Sequence, residues 1–321
     1  MNTLAPRRPP IRPCPIELLV RQEFGPSFDR YVRSHDTVRL VPGVYVEAQD
    51  WRSLRAWDRY LAKVHAVGRQ HPGAIFAFES AAALLGMPFV GTPGFVHVLV
   101  GHRGAARKRG IVQGHFVVDE LSTVTIDGLS ATTVADTAVS IARARHAAVG
   151  LAVFDQAIRG CGVTCGELAA LNETRSSDRG AANAAWAIER ATGIPESVLE
   201  SLSVAEIEWL GFEPPVLQQE FDLGGLGVSR VDAYWPGANV IGEADGDSKY
   251  QLHPGGAGTA LIAEKRREDA LRRVADGFAR WGWADCRDPS RLERILLEAG
   301  VPRVRQRNNP PLRTLAALLG R

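Results

Sequence analysis

Three carboxylates stand close together in one short stretch of this 321-residue chain: Asp232, Glu243 and Asp245. The stretch runs from Arg230 to Lys249 and reads as a β-hairpin. Val228 to Trp235 is rich in β-branched and aromatic residues, Pro236-Gly237-Ala238-Asn239 is a turn signal, and Val240 to Asp245 leads out again. A turn centred between Gly237 and Ala238 opposes residue 232 to residue 243. Opposed residues of an antiparallel pair share a face, with Cβ atoms about 4.5–5.5 Å apart. Asp245 follows on the same face, because strands alternate with period two. Three packed carboxylates repel one another unless something positive lies between them. A hard divalent cation with oxygen ligands, Mg²⁺ or Mn²⁺, is the natural candidate. The plainer alternative, three acids on a solvated hairpin face, sits poorly with Val231, Val240 and Ile241, which are residues of an inner strand.

The elements around the hairpin are also legible. Ser197 caps a helix that runs to about Leu210 and stops at Gly211, and Glu200 stands at the capping-box position. Pro214 to Phe221 is a strand, and Asp222 to Gly227 a loop before the hairpin. Ala260 to about Ala275 is a helix, Gly277 to Ala284 a strand, and Pro289 to Ala299 a closing helix. The order α-β-β-β-α-β-α predicts a mixed sheet with helices on both faces. The chain has only four lysines against 34 arginines, and Lys249 and Lys265 both fall just after the acids. A lysine there could lower the pKa of an attacking water or stabilise phosphate charge. Arg266 and Arg267 share the helix of Lys265. They suit phosphate contact, or else a solvated face with Glu/Arg pairs along the helix.

Ser197-x-x-Glu200, Gln218 or Gln219, Arg230-Val-Asp232, Glu243-Ala-Asp-Gly246, Lys249-Tyr250, Glu264-Lys-Arg-Arg-Glu268 and Arg280 together resemble the PD-(D/E)xK nuclease superfamily. The nearest branch is that of very-short-patch-repair endonucleases, and the likeness covers about residues 195–285. It implies a restriction-endonuclease-like core in which Asp232 and Glu243 bind a divalent ion that activates water, with Asp245 beside them. Asp245 occupies the position where the superfamily's usual lysine stands, which leaves Lys249 or Lys265 to act from a shifted position.

The first half carries a different signature. Residues 1–15 hold five prolines and three arginines and read as a disordered basic leader. Ile16 to Glu23 looks helical, Ser27 starts a second helix through Arg33, and Thr37 to Val46 is a hairpin turning at Pro42-Gly43. Two helices and a hairpin over residues 16–50 suggest a winged helix. Arg30, Tyr31 and Arg33 would then enter a DNA groove and Arg39 on the wing would touch backbone. The alternative is a degenerate module that only packs. Val38 to Tyr45, Phe78 to Pro88, Asp127 to Ala138 and Ala152 to Ala157 resemble AbiEi-like proteins, which include antitoxin-type transcriptional regulators of type IV toxin–antitoxin systems. This likeness spans roughly residues 20–175 and implies a small α/β domain over 51–175, with a cognate toxin as a possible partner. A linker helix over 176–194, the nuclease-like domain over 195–300 and a tail over 301–321 complete the division.

A hydrophobic content of 45% and a charged content of 23% are those of a folded multidomain α+β or α/β protein. There is no apolar run long enough for a membrane helix and no apolar signal core, so a cytoplasmic location is expected. The net charge of +2 divides into +5 over residues 1–190 and −3 over the rest, which weakly favours a polyanion partner for the first half. Cys161 and Cys165 lack a second pair, which argues against zinc, and His97, His102 and His115 share no element on which they could ligate together. The primary expectation is a DNA-binding, metal-dependent endonuclease. The alternative is a non-catalytic DNA-binding regulator or antitoxin built on an inactive nuclease scaffold.

Overall fold

The computed structural model describes residues 11–245 and 257–320. Among these it contains fourteen α-helices and three sheets, two of them mixed. The chain divides into two compact units: residues 1–145 with 157–189, and residues 146–156 with 190–321. No helix among the described residues is long and apolar enough to cross a membrane.

Unit 1 begins with β1 (Leu19–Val20), α1 (Arg21–Phe24), α2 (Phe28–Ser34), β2 (Thr37–Val41), β3 (Val44–Glu47) and α3 (Ala48–Ser53). The hairpin turns at Pro42-Gly43 as expected, with Gly43 at φ +81°. The helix expected over Ile16 to Glu23 does not form. Leu19 and Val20 instead pair with Tyr45 and Val44 and bury their side chains, leaving four helical residues after them. Tertiary pairing overrides local propensity here. The leader is not disordered to residue 15. Ile11 is buried and the Arg12 amide donates to the Leu84 carbonyl.

The larger sheet of unit 1 follows α4 (Ala56–Gln70). It is built from β4 (Ile75–Phe76), β5 (Val96–Leu99), β6 (Lys108–Arg109), β7 (Val112–His115), β8 (Thr123–Ile126) and β9 (Leu129–Thr132), in the order β6-β7-β5-β4-β9-β8. α5 (Phe78–Leu84) lies between β4 and β5, and α6 (Val134–Ala144) follows β9. The side chain of Thr133 accepts from the Asp136 amide to start α6. The Asp136 carboxylate in turn takes Arg175 at 2.6 Å in a buried pair. The next helices are α7 (Ala147–Cys161), α8 (Cys165–Glu173) and α9 (Ala181–Arg190), and the boundary between the units falls within α7.

The core of unit 1 holds a polar chain built from residues far apart in sequence. Arg145 holds the Glu79 carboxylate at 2.8 Å, Glu79 lies 3.5 Å from His97 Nε2, and His97 Nδ1 lies 2.8 Å from His115 Nε2. Burial pushes the His97 imidazole down and His115 down to about 4, so both rings are neutral at pH 7. The unfolded chain binds protons on these rings near pH 6.5 and the folded chain does not. Stability therefore falls as pH drops from about 6.5 towards 4. His115→Gln is expected to flatten that acid limb by roughly 2 kcal/mol, read by urea unfolding across that pH range.

Unit 2 contains α10 (Val198–Leu210), β10 (Val216–Asp222), β11 (Val228–Trp235), β12 (Val240–Ala244), α11 (Ala257–Val274), β13 (Gly277–Trp281), α12 (Trp283–Cys286), α13 (Pro289–Glu298) and α14 (Asn309–Leu319). The expected order holds as far as β13, but the strand expected to reach Ala284 stops at Trp281 and the short helix α12 follows it. Strands β10, β11 and β12 are antiparallel neighbours, and β13 joins parallel to β12. Leu271 of α11 packs on Val231 and Ile241. Trp281 donates its indole N–H to Ser203 Oγ of α10 at 2.7 Å. Gly242 lies between Trp235 and Trp281, and a Cβ there would come within 2.9 Å of both rings.

The C-terminal stretch is no tail. Prolines in the first turn start α14, and Leu312 and Leu315, three apart on one face, are buried. The approach to it is held at Gly211, the left-handed C-cap of α10 at φ +86°, whose carbonyl accepts from the amides of Val304 and Arg305. A Cβ at 211 would lie 2.2 Å from the Arg305 carbonyl oxygen. Gly211→Ala is therefore expected to cost about 2–3 kcal/mol, more than left-handed strain alone, measured by denaturant unfolding.

Candidate active site

The hairpin keeps the register its turn implied: Trp235 opposes Val240, Tyr234 opposes Ile241 and Ala233 opposes Gly242. Amides of Ala238 and Asn239 close the turn on the carbonyls of Trp235 and Pro236. The ladder stops there. At the next position the Asp232 side chain takes over, with Oδ2 accepting the Ala244 amide at 2.8 Å. Glu243 is 5% exposed.

Glu200 and Gln218 complete the acid side. Ser197 Oγ accepts the Glu200 amide, as the capping spacing implied. The Glu200 carboxylate does not return to Ser197, but takes the Glu196 amide at 2.9 Å and Gln218 Nε2 at 2.8 Å. The same Gln218 amide lies 3.4 Å from Asp232 Oδ1. Gln218 reaches both acids from a left-handed backbone at φ +55°, in a gap of the β10–β11 ladder between Leu217↔Ala233 and Gln219↔Val231. A non-glycine residue in that region costs of order 1–3 kcal/mol, and such strain concentrates at functional sites.

The basic side comes from α11 and β13. Arg267 grips Glu243 through both terminal nitrogens, at 2.8 and 3.2 Å, and grips Glu264 at 2.8 Å. Arg280 lies 3.9 Å from Glu243, 3.5 Å from Glu264 and 2.9 Å from Glu268. Burial pushes the Glu243 carboxyl up; Arg267 pulls it down and the Asp232 charge adds to the upward push. The bonds to Glu264 and Glu243 hold the Arg267 guanidinium in its charged form.

The predicted site residues are thus brought together unequally. Glu200, Asp232 and Glu243 converge with Gln218, Arg267 and Arg280. Asp245 continues the β12–β13 ladder, its amide donating to the Trp281 carbonyl. Lys265 and Arg266 are exposed on α11, and Lys249 lies outside the described residues. In unit 1, Arg30, Arg33 and Arg39 are exposed. Tyr31 does not point outward to a groove: its hydroxyl donates to Glu47 at 2.6 Å and its ring stacks on His35.

Contrary to expectation, the acid cluster does not need a cation to hold it together. A guanidinium already neutralises Glu243, and a backbone amide and a glutamine serve Asp232. Among the described residues no group of three His, Cys, Asp or Glu side chains could hold a metal ion, so a ready three-carboxylate centre of Asp232, Glu243 and Asp245 is not formed. The donor set that remains still fits Mg²⁺ or Mn²⁺. It is all hard oxygen, and Mg²⁺ usually takes one or two carboxylates and leaves its other positions to water and substrate phosphate. Asp232 and Glu243 would be that pair. No known family model, curated protein or solved structure matches the chain.

Proposed function

We propose that the protein binds DNA and that unit 2 carries a divalent-metal phosphodiesterase site of endonuclease type. The observation that carries the reading is convergence. Separate elements α10, β10, β11 and β12 deliver Glu200, Gln218, Asp232 and Glu243 to one cluster, with Arg267 and Arg280 beside them. Strained Gln218 gives the cluster a feature that packing alone does not require.

Asp232 and Glu243 would hold the ion. When bound, Mg²⁺ or Mn²⁺ supplies Lewis-acid charge at a phosphate and lowers the pKa of a water. Gln218 orients Asp232 and Glu200 through one amide. Arg267, once released from Glu243, and Arg280 offer guanidinium donors whose fork suits a phosphate. Lys265 and Arg266 on the exposed side of α11 supply further charge for the DNA backbone. Unit 1 contributes Arg30, Arg33 and Arg39 in a winged-helix role.

The closed Arg267–Glu243 pair favours a second reading, a DNA-binding regulator or antitoxin of the type IV kind whose nuclease-like scaffold does no chemistry and whose partner is a toxin. In that reading the ion pair is structural and stays shut. Supercoiled plasmid and short duplexes, incubated with the full chain and Mg²⁺ or Mn²⁺, separate the two. Retardation with metal-dependent nicking supports the nuclease. Retardation with no nicking in either metal supports the regulator, and the absence of retardation removes both.

A further inference from the structure

Unit 1 contains a cleft of about 630 Å³, walled by the β2–β3 hairpin on one side and by β5, β7 and the loop before β6 on the other. That volume lies within the ~300–1,000 Å³ range of small-molecule sites. The wall is set by Gly114. The Ala105 carbonyl lies 2.6 Å from where a Cβ would be, so the loop carrying Arg107 can close down on β7. The Arg107 carbonyl accepts the Gly114 amide at 3.1 Å and fixes that approach.

The lining has two components. Its floor is aliphatic, with Val98, Val100 and Ile111, and among the described residues no Phe, Tyr or Trp takes part. Its charged lining residues are Arg39, Arg107 and Arg109, and among the described residues no acidic one lines the cleft. All three are exposed, and none makes a side-chain ion pair or hydrogen bond among the described residues. This differs from the arginines of the unit 2 cluster and from Arg145 and Arg175, which all sit on carboxylates. Like charges around one apolar concavity repel one another, and an anion among them relieves that repulsion.

We infer that this cleft binds an organic anion with an aliphatic body, of which a medium-chain carboxylate is the simplest member. The arginine fork matches a carboxylate or phosphate head, and the floor takes the apolar chain. A single-stranded nucleic acid would offer the same charge, but its bases bind by stacking on aromatic faces, which the floor lacks. Arg39 is shared with the winged-helix role, so ligand and DNA would compete at that residue.

Methyl NMR of the full chain, titrated with decanoate below its micelle-forming concentration, tests this. Decanoate is expected to shift the methyls of Val98, Val100 and Ile111 saturably. Neutral decanol should bind about tenfold or more weakly, and the double variant Arg107→Ala/Arg109→Ala should weaken decanoate by about tenfold or more, since each tenfold is one lost charged contact of ~1.4 kcal/mol. Both arginines are exposed, so the variant should fold, which the unchanged methyl spectrum away from the cleft would show. Equal binding of decanoate and decanol, shifts outside the cleft or none at all, or an oligothymidylate that shifts these methyls where decanoate does not, would each overturn the proposal.

Discussion

Asp232→Asn is expected to lower metal-dependent nicking of DNA by on the order of 10²–10³-fold, the scale of losing one preorganised electrostatic group from an active site. The substitution keeps the shape but only one of the two acceptor bonds, because the new amide would face the Gln218 donor. Asparagine still offers an oxygen to the Ala244 amide, the bond that ends the β11–β12 ladder. What is lost is a charge beside buried Glu243. The midpoint of thermal unfolding should fall by only a few degrees, since the one bond lost is a long side-chain contact worth about 1 kcal/mol. DNA retardation should also persist, because Arg30, Arg33 and Arg39 belong to the other unit. A loss of nicking that tracks a loss of fold would show a structural role for Asp232 instead.

The second large effect lies in the core of unit 2. Glu206 of α10 is 0% exposed, and among the described residues neither of its oxygens has a hydrogen-bond partner of ordinary geometry. The Cys286 thiol beside it offers only a weak interaction, and burial pushes the carboxyl from 4.5 up to about 9. The folded protein therefore holds a proton that the unfolded chain has released anywhere between those values. Stability is greatest below about pH 4.5 as far as this group is concerned, and falls as pH rises towards 9. At pH 7 the penalty is about 3 kcal/mol, at 1.36 kcal/mol per pH unit. Glu206→Leu should recover most of it, since replacing a buried ionisable group by an apolar one of similar volume commonly stabilises. Urea unfolding of the wild type and Glu206→Leu from pH 5 to pH 9 should show the two curves diverging as pH rises. Parallel curves would mean that the carboxyl finds a partner on folding.

Both units follow from sequence wherever the signal is local. Pro236 to Asn239 defines the turn, and the turn defines the register of the hairpin. Gly211 ends α10, and period-two and period-3.6 patterns mark most elements of unit 2. What sequence does not carry is pairing between distant segments. The Glu264–Arg267 pair on one helix face is the solvated-helix pattern expected three residues apart, yet the same guanidinium also closes on Glu243, 24 residues away across the sheet. Only the tertiary packing of α11 determines that. Sequence leaves Gln218 and Gln219 as alternatives; Gln218 is the one that reaches the acids, from a left-handed backbone that no residue type announces. His97 and His115 meet because β5 and β7 run parallel in register, with Leu99 opposite His115, and their spacing in the chain gives no hint of it. Leu19 and Val20 became a strand for the same kind of reason.

If Asp232 and Glu243 hold a divalent ion as proposed, Arg267, which bonds Glu243, competes with that ion for the carboxylate. Titration of the full chain with Mn²⁺, followed by electron paramagnetic resonance, tests it without reference to DNA. One bound Mn²⁺ is expected, lost on Asp232→Asn and on Glu243→Gln, and bound about tenfold more tightly in Arg267→Gln, which removes the competing guanidinium. Equal Mn²⁺ uptake by the wild type and Asp232→Asn would contradict the account, as would an Arg267→Gln protein that folds and binds no Mn²⁺.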